Sequence, residues 1–171
     1  MSGPIDRHAV DQLVVAHLPA ALRLAQRLAN NPDTAEEIVQ EALCRVLTRW
    51  KSFRGEAAFS TWMMQIVVNV DRDRRRRRRD SAELSHEVCD SSLAAASEQL
   101  AAAELGELIR AAIDDLPERQ REVALLSLGE GLATSEVAFI LETTEANVYT
   151  CLHLARKRIA LAIGVDYARR K

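Results

Sequence analysis

Apolar residues recur along the chain at steps of three and four, the spacing that places side chains on one face of an α-helix. Two such stripes stand out: Val39, Leu43, Val46 and Trp50 in the first half, and Val148, Leu152, Ala155 and Ile159 near the end. Glycine and proline, which interrupt helices, account for only 6 and 4 of the 171 residues. The pattern therefore predicts an all-α protein.

Turn signals divide the first half into three helices. Residues 5–28 form the first, and Pro19 is expected to kink or break it. Asp33–Glu36 has the spacing of a capping box, an acceptor at the start with a Glu three residues on, and so opens the second helix. A connection over 51–58 leads to the third, which starts at residue 59 or 60 and runs into consecutive arginines.

The second half has the pattern of a helix-turn-helix. A helix is expected over 98–115, and Pro117 at a first helical position starts another. A short helix from residue 133 or 134 is followed by a tight turn, after which Thr144 can cap the last helix. Two short helices around a tight turn, the second with polar residues in its first turns, are typical of this motif.

Charge divides the chain more sharply than its net charge of −2 indicates. Residues 1–80 carry 14 basic and 10 acidic side chains, residues 81–116 carry 1 and 8, and residues 117–171 carry 8 and 7. The stretch from Asp80 to Ser97 is rich in Ser, Ala and acidic residues with little periodicity, which is typical of a flexible linker. We therefore expect two small helical domains, residues 1–80 and 98–171, joined by an acidic linker over 81–97.

Arg74–Arg79 form an unbroken run of arginines, called the arginine tract below. Successive helical residues are about 100° apart, so the side chains point in every direction, and the tract is expected to leave the folded body. A cationic sleeve of this kind suits a polyanion, although a solvated helix end explains the tract alone equally well. Asp71 and Asp73 can extend the helix through i,i+4 pairs with Arg75 and Arg77.

Several classes of site have no support in the sequence. Cys44, Cys89 and Cys151 lie far apart without Cys/His ligand spacing, so neither a disulfide framework nor a metal site is expected, and Cys44 is interpreted as a packing residue. No Ser/His/Asp or Cys/His arrangement and no glycine loop for phosphates occurs, so we expect neither an enzyme nor a cofactor. No apolar run approaches the roughly 18–20 residues of a membrane span, and we expect a cytoplasmic protein without membrane contact.

Three segments match a known family in order and spacing: Asp33–Ala42 (DTAEEIVQEA), Phe53–Trp62 (FRGEAAFSTW) and Leu116–Val123 (LPERQREV). Together they resemble the two domains of the extracytoplasmic-function sigma factors, small bacterial transcription initiation factors, over nearly the whole chain. The resemblance implies a protein that binds core RNA polymerase, directs it to promoter DNA and helps to melt the minus-ten element. It also implies an anti-sigma factor that holds the protein inactive.

In the first domain the resemblance assigns two surfaces. The polar face of the second helix would dock on core polymerase through Glu36, Glu37, Gln40 and Glu41. Stabilisation of the helix dipole by a first acidic turn explains Glu36 and Glu37 without a partner, but explains Glu41 less well. The minus-ten strand would be held by Lys51, Phe53, Arg54, Trp62, Asn69, Arg72, Arg74, Arg75, Arg76, Arg77, Arg78 and Arg79. Packing in the core is an alternative explanation for Phe53 and Trp62.

In the second domain the last helix would enter the major groove of the minus-thirty-five element. Base contacts would come from Glu145, Asn147, Tyr149 and Thr150, and backbone contacts from Arg119, Arg121, Arg156, Lys157 and Arg158. Charge placement toward a helix C-terminus is an alternative explanation for Arg156–Arg158. The family usually has Gly where Glu142 stands and basic residues at Tyr149, Cys151 and Leu154. This domain should therefore bind DNA weakly by itself.

Other interpretations remain open. The chain could be a sigma-like decoy that binds an anti-sigma factor without binding DNA, or a helix-turn-helix regulator that acts without polymerase. The charge-poor last helix favours the decoy, and the arginine tract opposes it. The acidic middle also suggests that residues 80–98 cover the arginines in the free protein, through side chains such as Glu83, Glu87 and Asp90.

Overall fold

The computed structural model describes residues 6–29, 31–81 and 97–164, and this part of the chain consists of helices and their connections without strands. The α-helices are α1 Arg7–Ala29, α2 Pro32–Arg49, α3 Phe59–Ser81, α4 Ser97–Asp114, α5 Glu118–Ala124, α6 Thr134–Ile140 and α7 Glu145–Ala162. A 3₁₀ turn, Trp50–Ser52, follows α2, and a π-helical turn, Leu125–Gly129, continues α5. The all-α prediction is confirmed.

Most of the predicted acidic linker, residues 82–96, lies outside the described residues. The hypothesis that Glu83, Glu87 and Asp90 cover the arginines therefore stays a prediction. None of the helices in the described ranges is both long and apolar enough to cross a membrane.

Two predictions about the first helices are corrected. Helix α1 is not broken at Pro19, which lies exposed inside it, because buried residues on both sides, such as Val14 and Leu24, hold the flanking turns against the core. Helix α2 begins at Pro32 and not at the predicted capping box, because Asn31 is the cap and its side-chain oxygen accepts from the Thr34 N–H at 3.0 Å.

The core runs through both halves of the chain. Helices α1, α2 and α3 pack on one another around residues such as Leu24 and Val67, both fully buried. The same apolar cluster continues into the second half through Leu126 and Ile140, also fully buried. The two predicted domains are therefore packed on each other through a shared apolar contact, which the sequence did not predict.

The helix-turn-helix is formed by α6, a turn over 141–144, and α7. The predicted stripe of α7 is buried, and the Thr144 hydroxyl accepts from the Asn147 N–H at 3.2 Å, so the predicted cap is confirmed. Glu142, which stands where the family usually has glycine, has a φ of 51°. The turn keeps the left-handed conformation that favours glycine and places a glutamate in it.

The interpretation of Cys44 as a packing residue is wrong. Cys44 lies on an exposed side of α2, because the buried stripe of that helix runs through Val39, Ala42 and Val46.

Candidate nucleic-acid interface

The acidic face of α2, defined as Glu36, Glu37, Gln40 and Glu41, is exposed at every position. Because α2 begins at Pro32, its first turn contains Asp33, and Glu36 and Glu37 lie beyond it. The helix dipole therefore explains these two glutamates less well than the sequence indicated. Glu37 pairs with Arg74, and Glu41 pairs with Arg45 at 2.8 Å. These two ion pairs lie beside the acidic face and leave its outer side exposed to solvent, which suits docking to a basic surface.

An aromatic pocket of about 430 Å³ lies where the 51–58 connection meets α3. Phe53, Phe59 and Trp62 form a cluster with ring centroids 5.3–5.5 Å apart. Phe59 is buried, whereas Phe53 and Trp62 are half-buried and line the pocket. Trp62 therefore packs in part and is exposed in part, and its contact with the minus-ten strand stays a prediction. A half-exposed aromatic ring beside cations can stack on an unpaired base.

The other residues around this pocket are polar or come from the second half. The remaining lining residues are Lys51, Ser52, Arg54, Glu56, Ala57, Gln65 and Phe139. Phe139 belongs to α6, so the second half of the chain forms one wall of the pocket.

The prediction that the arginine tract leaves the folded body is wrong. The tract stays within α3, where Arg74 and Arg75 are half-buried and Arg76–Arg78 are exposed. Arg75 pairs with Asp71 at 2.7 Å and donates to the Leu28 carbonyl at 2.9 Å, while Arg74 pairs with Glu37. The aliphatic part of an arginine side chain can pack on the protein while its guanidinium group reaches a partner. Arginines on every side of a helix therefore do not prevent that helix from packing on the rest of the protein.

The predicted helix-extending pairs are half correct. Asp71 pairs with Arg75 as expected. Asp73 instead accepts from Arg45 of α2 at 2.9 Å and lies 3.9 Å from Arg76, so its expected pair with Arg77 does not form. Asp71 is buried, and this burial raises the pKa of its carboxyl above the ordinary value despite the opposing effect of Arg75.

Arg121, predicted to contact the DNA backbone, is buried in this structure, and the prediction is not supported in this arrangement. Its guanidinium donates to the Leu28 carbonyl at 2.8 Å and lies 3.3 Å from Asp114. Burial, with repulsion from Arg75, lowers the pKa of Arg121. The side chain joins α5 to the end of α1 through the Arg27 and Leu28 carbonyls and to α4 through Asp114.

Arg72 and Arg119 also face protein groups. Arg72 makes a bidentate pair with Glu122 of α5, with both N–O distances 2.7 Å, and hydrogen bonding to Glu122 raises the pKa of Arg72. Arg119 donates to the Leu141 carbonyl at 2.9 Å and lies 3.4 Å from Glu122. Asn69 accepts from Arg72 at 3.5 Å and is half-buried.

The recognition face of α7, defined as Glu145, Asn147, Tyr149 and Thr150, is exposed at every position. Tyr149 is 61 % exposed, and the Asn147 amide donates to the Thr143 hydroxyl at 2.8 Å. Arg156, Lys157 and Arg158 are exposed two to three turns further along the helix. The arrangement offers polar side chains at the helix start and cations toward its end, which suits a groove flanked by phosphates.

Comparison with known proteins decides the family. Residues 13–81 match the Sigma-70 region 2 family, and residues 106–159 match the Sigma-70, region 4 family. The chain belongs to the ECF sigma factor family. It is 30 % identical over 155 residues to the ECF RNA polymerase sigma factor EcfG of Rhodopseudomonas palustris, covering 91 % of this chain and 85 % of that relative. It is 28 % identical over 165 residues to SigW of Bacillus subtilis, covering 90 % and 88 %.

Solved structures agree on the fold of this ECF sigma factor. The sigma factor RpoE of Bartonella quintana, determined in complex with the anti-sigma factor NepR, aligns with a TM-score of 0.74 and 23 % identity over 91 % of this chain and 97 % of that one. CnrH, in complex with the cytosolic domain of CnrY, aligns with a TM-score of 0.68 and 21 % identity over 93 % and 90 %.

Sequence reasoning missed the polar contacts between the two halves. Arg27 of α1 pairs with Glu130 at 2.7 Å, and the Thr61 hydroxyl of α3 donates to Glu136 of α6 at 3.1 Å. Gln65 donates to Glu142 at 3.2 Å. The partners are separated by 75 to 103 residues, so no local spacing could have indicated them.

Proposed function

We propose that this ECF sigma factor binds core RNA polymerase through the acidic face of α2 and directs it to promoters. Region 1–80 holds the polymerase and the minus-ten element, and region 98–171 holds the minus-thirty-five element. The role is one of binding and strand opening, without an enzymatic reaction of its own, and its place is the cytoplasm, where the polymerase works.

The observation that carries the proposal is the aromatic pocket, most of whose lining residues lie within the Sigma-70 region 2 match. An unpaired base can stack on Trp62 or Phe53, while Lys51 and Arg54 stand at the rim for its phosphates. Arg76–Arg78 are exposed along the end of α3 and can follow the backbone. Arg74 and Arg75 contribute less, because both are committed to protein partners.

Duplex recognition is assigned to α7. Asn147 suits a bidentate contact with adenine, and Glu145 can accept from a cytosine amino group. Tyr149 and Thr150 complete the recognition face, with Arg156, Lys157 and Arg158 on phosphates. Arg119 remains a candidate backbone contact, whereas Arg121 would need the two halves to separate first.

Run-off transcription with purified core polymerase and a library of promoters tests the proposal. We expect initiation at defined sites only when this chain is present. The charge-reversal variant E36K/E41K should lose core binding, whereas E104K/E107K, with the same charge change on exposed residues of α4, should retain it. Absence of initiation on every promoter would reject the proposal in favour of the decoy interpretation. If the chain binds its DNA sites equally well with and without core polymerase, the result would favour the interpretation as a regulator that acts without polymerase.

An anti-sigma factor is the further partner we propose. The family resemblance implies one, and the RpoE structure of similar fold was determined with its anti-sigma factor. We expect a co-purifying protein to inhibit the same run-off reaction, and we expect removal of that protein to relieve the inhibition. Full activity of the chain as purified from its own cells would contradict regulation of this kind.

A further inference from the structure

The Asn147 side chain, on the recognition face of α7, is held at both ends of its amide. The amide nitrogen donates to the Thr143 hydroxyl at 2.8 Å, and the amide oxygen accepts from the Cys151 thiol at 3.7 Å. Thr143 lies four residues before Asn147, and Cys151 lies four residues after it. Residues at this spacing are neighbours on one side of a helix. These three residues are called the amide network below.

The turn before α7 fixes the position of Thr143. Its main-chain N–H donates to the Ala138 carbonyl of α6 at 3.0 Å, and the residue is half-buried. The next residue, Thr144, caps α7 by accepting from the Asn147 main-chain N–H. Two consecutive threonines therefore hold Asn147, one through its main chain and the other through its side chain. Because Thr143 is bonded to α6, the amide is oriented relative to both helices of the helix-turn-helix.

The contacts within the amide network leave half of the Asn147 amide available. A side-chain amide has two N–H donors and an oxygen with two lone pairs. Thr143 uses one donor and Cys151 uses one lone pair, so one donor and one acceptor remain on an exposed side chain. Adenine requires this combination in the major groove, where its N7 accepts and its amino group donates.

The amide network restrains the side chain before DNA binds. An unrestrained side chain must be ordered on binding, and the lost rotamer freedom weakens association. This cost is already met for Asn147. Thr150 on the same face differs, because its hydroxyl donates to the Ala146 carbonyl of its own helix at 3.0 Å and is not oriented by the turn.

We propose that Thr143 and Cys151 are positioning residues that set the specificity of α7, because they present the Asn147 amide to one adenine of the minus-thirty-five element. Neither residue is assigned a contact with DNA, and both act through Asn147. The inference deepens the proposed function and rests on it, since the base contact of Asn147 is taken from there.

The first test is a double-mutant cycle on base preference. Transcription with core polymerase is measured from promoters substituted at each position of the minus-thirty-five element, for the wild type, T143V, N147A and T143V/N147A. T143V should reduce the preference for adenine at the position read by Asn147 about 3- to 10-fold, the effect of one ordinary hydrogen bond. In the N147A background T143V should have no further effect, because the side chain that it positions is gone. An equal loss in both backgrounds would overturn the proposal.

Control variants separate the missing hydrogen bond from other effects of the substitution. T143S keeps the hydroxyl and should retain the wild-type preference, and a loss as large as that of T143V would overturn the proposal. T48V removes an exposed threonine hydroxyl that bonds carbonyls of its own helix, α2, and should leave the preference unchanged. C151A should reduce the same preference by a smaller factor than T143V, since a thiol is a weak donor. An unchanged preference in C151A would overturn the role of Cys151.

A second test observes the Asn147 side chain without transcription. In the full chain, NMR relaxation of its side-chain amide reports order on the picosecond to nanosecond timescale. The amide should be well ordered in the wild type and less ordered in T143V, while helical circular dichroism stays the same. Equal order in the two proteins would overturn the positioning role.

The two tests also distinguish failure of the inference from failure of the proposed function. If N147A changes no base preference, the proposed base contact of Asn147 is wrong, and the inference fails with it. If N147A loses the preference for adenine but T143V keeps it, the inference alone is overturned.

Discussion

The two surfaces assigned to DNA differ in what covers them. On α3, to which the strand contacts are proposed to belong, Arg72 is bonded to Glu122 of the second half of the chain. The recognition face of α7 is exposed, with Tyr149 61 % accessible. One structure thus covers part of a basic surface and leaves a surface with few charges open. The cations of α3 are therefore only partly covered, because Arg72 is paired while Arg76–Arg78 are exposed.

This difference gives a physical reason for dependence on polymerase. DNA affinity depends mainly on phosphates neutralised by cations, and most of the cations suited to that task lie along α3. The exposed α7 offers Arg156, Lys157 and Arg158 but few charges near its base-contacting start. The free protein should therefore bind promoters poorly through either surface, although for different reasons.

The largest effect is expected when the exposed arginines of α3 are neutralised. R76Q/R77Q/R78Q should abolish run-off initiation, since these side chains are free to follow the strand. For strand binding by the complex with polymerase, the slope of log affinity against log salt concentration should decrease in magnitude by about 2. Each of the three single-strand phosphate contacts contributes about 0.7 to this slope. The matched change R156Q/K157Q/R158Q on α7 should weaken promoter binding without abolishing opening. Equal loss in both variants would contradict the division of labour.

A smaller and more specific effect is expected on the open surface. Asn147→Ala removes an amide suited to a base while leaving the Thr144 cap on its backbone N–H intact. It should cost about 1–3 kcal/mol of discrimination at one base pair of the minus-thirty-five element, measured by transcription from promoters substituted at each position. A uniform loss across all promoter sequences would show that Asn147 positions the helix and does not read a base.

The strained turn between α6 and α7 gives a still smaller effect. Glu142→Gly and Glu142→Ala both remove the contact with Gln65, but only glycine relieves the positive φ. The glycine variant should therefore be more stable than the alanine variant by about 1 kcal/mol in chemical denaturation. Equal stability, or a more stable alanine variant, would show that the turn carries no backbone strain.

The smallest effect concerns Asp71, which is buried in α3 and pairs with Arg75. Burial raises its pKa in the folded protein above the ordinary 3.8, so the folded state binds this proton more tightly than the unfolded state. The associated stabilisation is present below pH 3.8 and is lost as the pH rises through the raised value. Compared with D71N across acid pH, the wild-type free energy of unfolding should fall as pH rises. If the free energy of unfolding of the wild type rose relative to that of D71N as pH increases, the pKa of Asp71 would have to be lowered in the folded protein, and the account would be wrong.

Local features of the fold were readable from the sequence, whereas contacts between distant segments were not. Helical spacing, the Thr144 cap and the buried stripe of α7 depend on neighbours within a few residues, and these predictions are confirmed. The cap of α2 was misplaced because Asn31 and Asp33 are both good acceptors, and only packing selects one. The residue roles assigned to polymerase and DNA stay predictions.

The arginines show where sequence reasoning ends. Periodicity treats the members of the arginine tract as equivalent, yet Arg75 reaches the Leu28 carbonyl and Arg76 is exposed. Arg121 looked like a phosphate contact because it is a cation in a family motif. Its burial against α1 depends on how the two halves pack, which no local pattern contains.

The most direct test of the closed arrangement is the distance between its two halves with and without core polymerase. Cys44 is exposed on α2 and Cys151 is partly exposed on α7, so spin labels on these two, with Cys89 replaced by serine, report the separation. A short and narrow distance distribution is predicted for the free protein, shifting to longer distances when core polymerase is added. An unchanged distribution on the polymerase would contradict the account, because Arg72 and Arg121 would then keep their protein partners and could not reach promoter DNA.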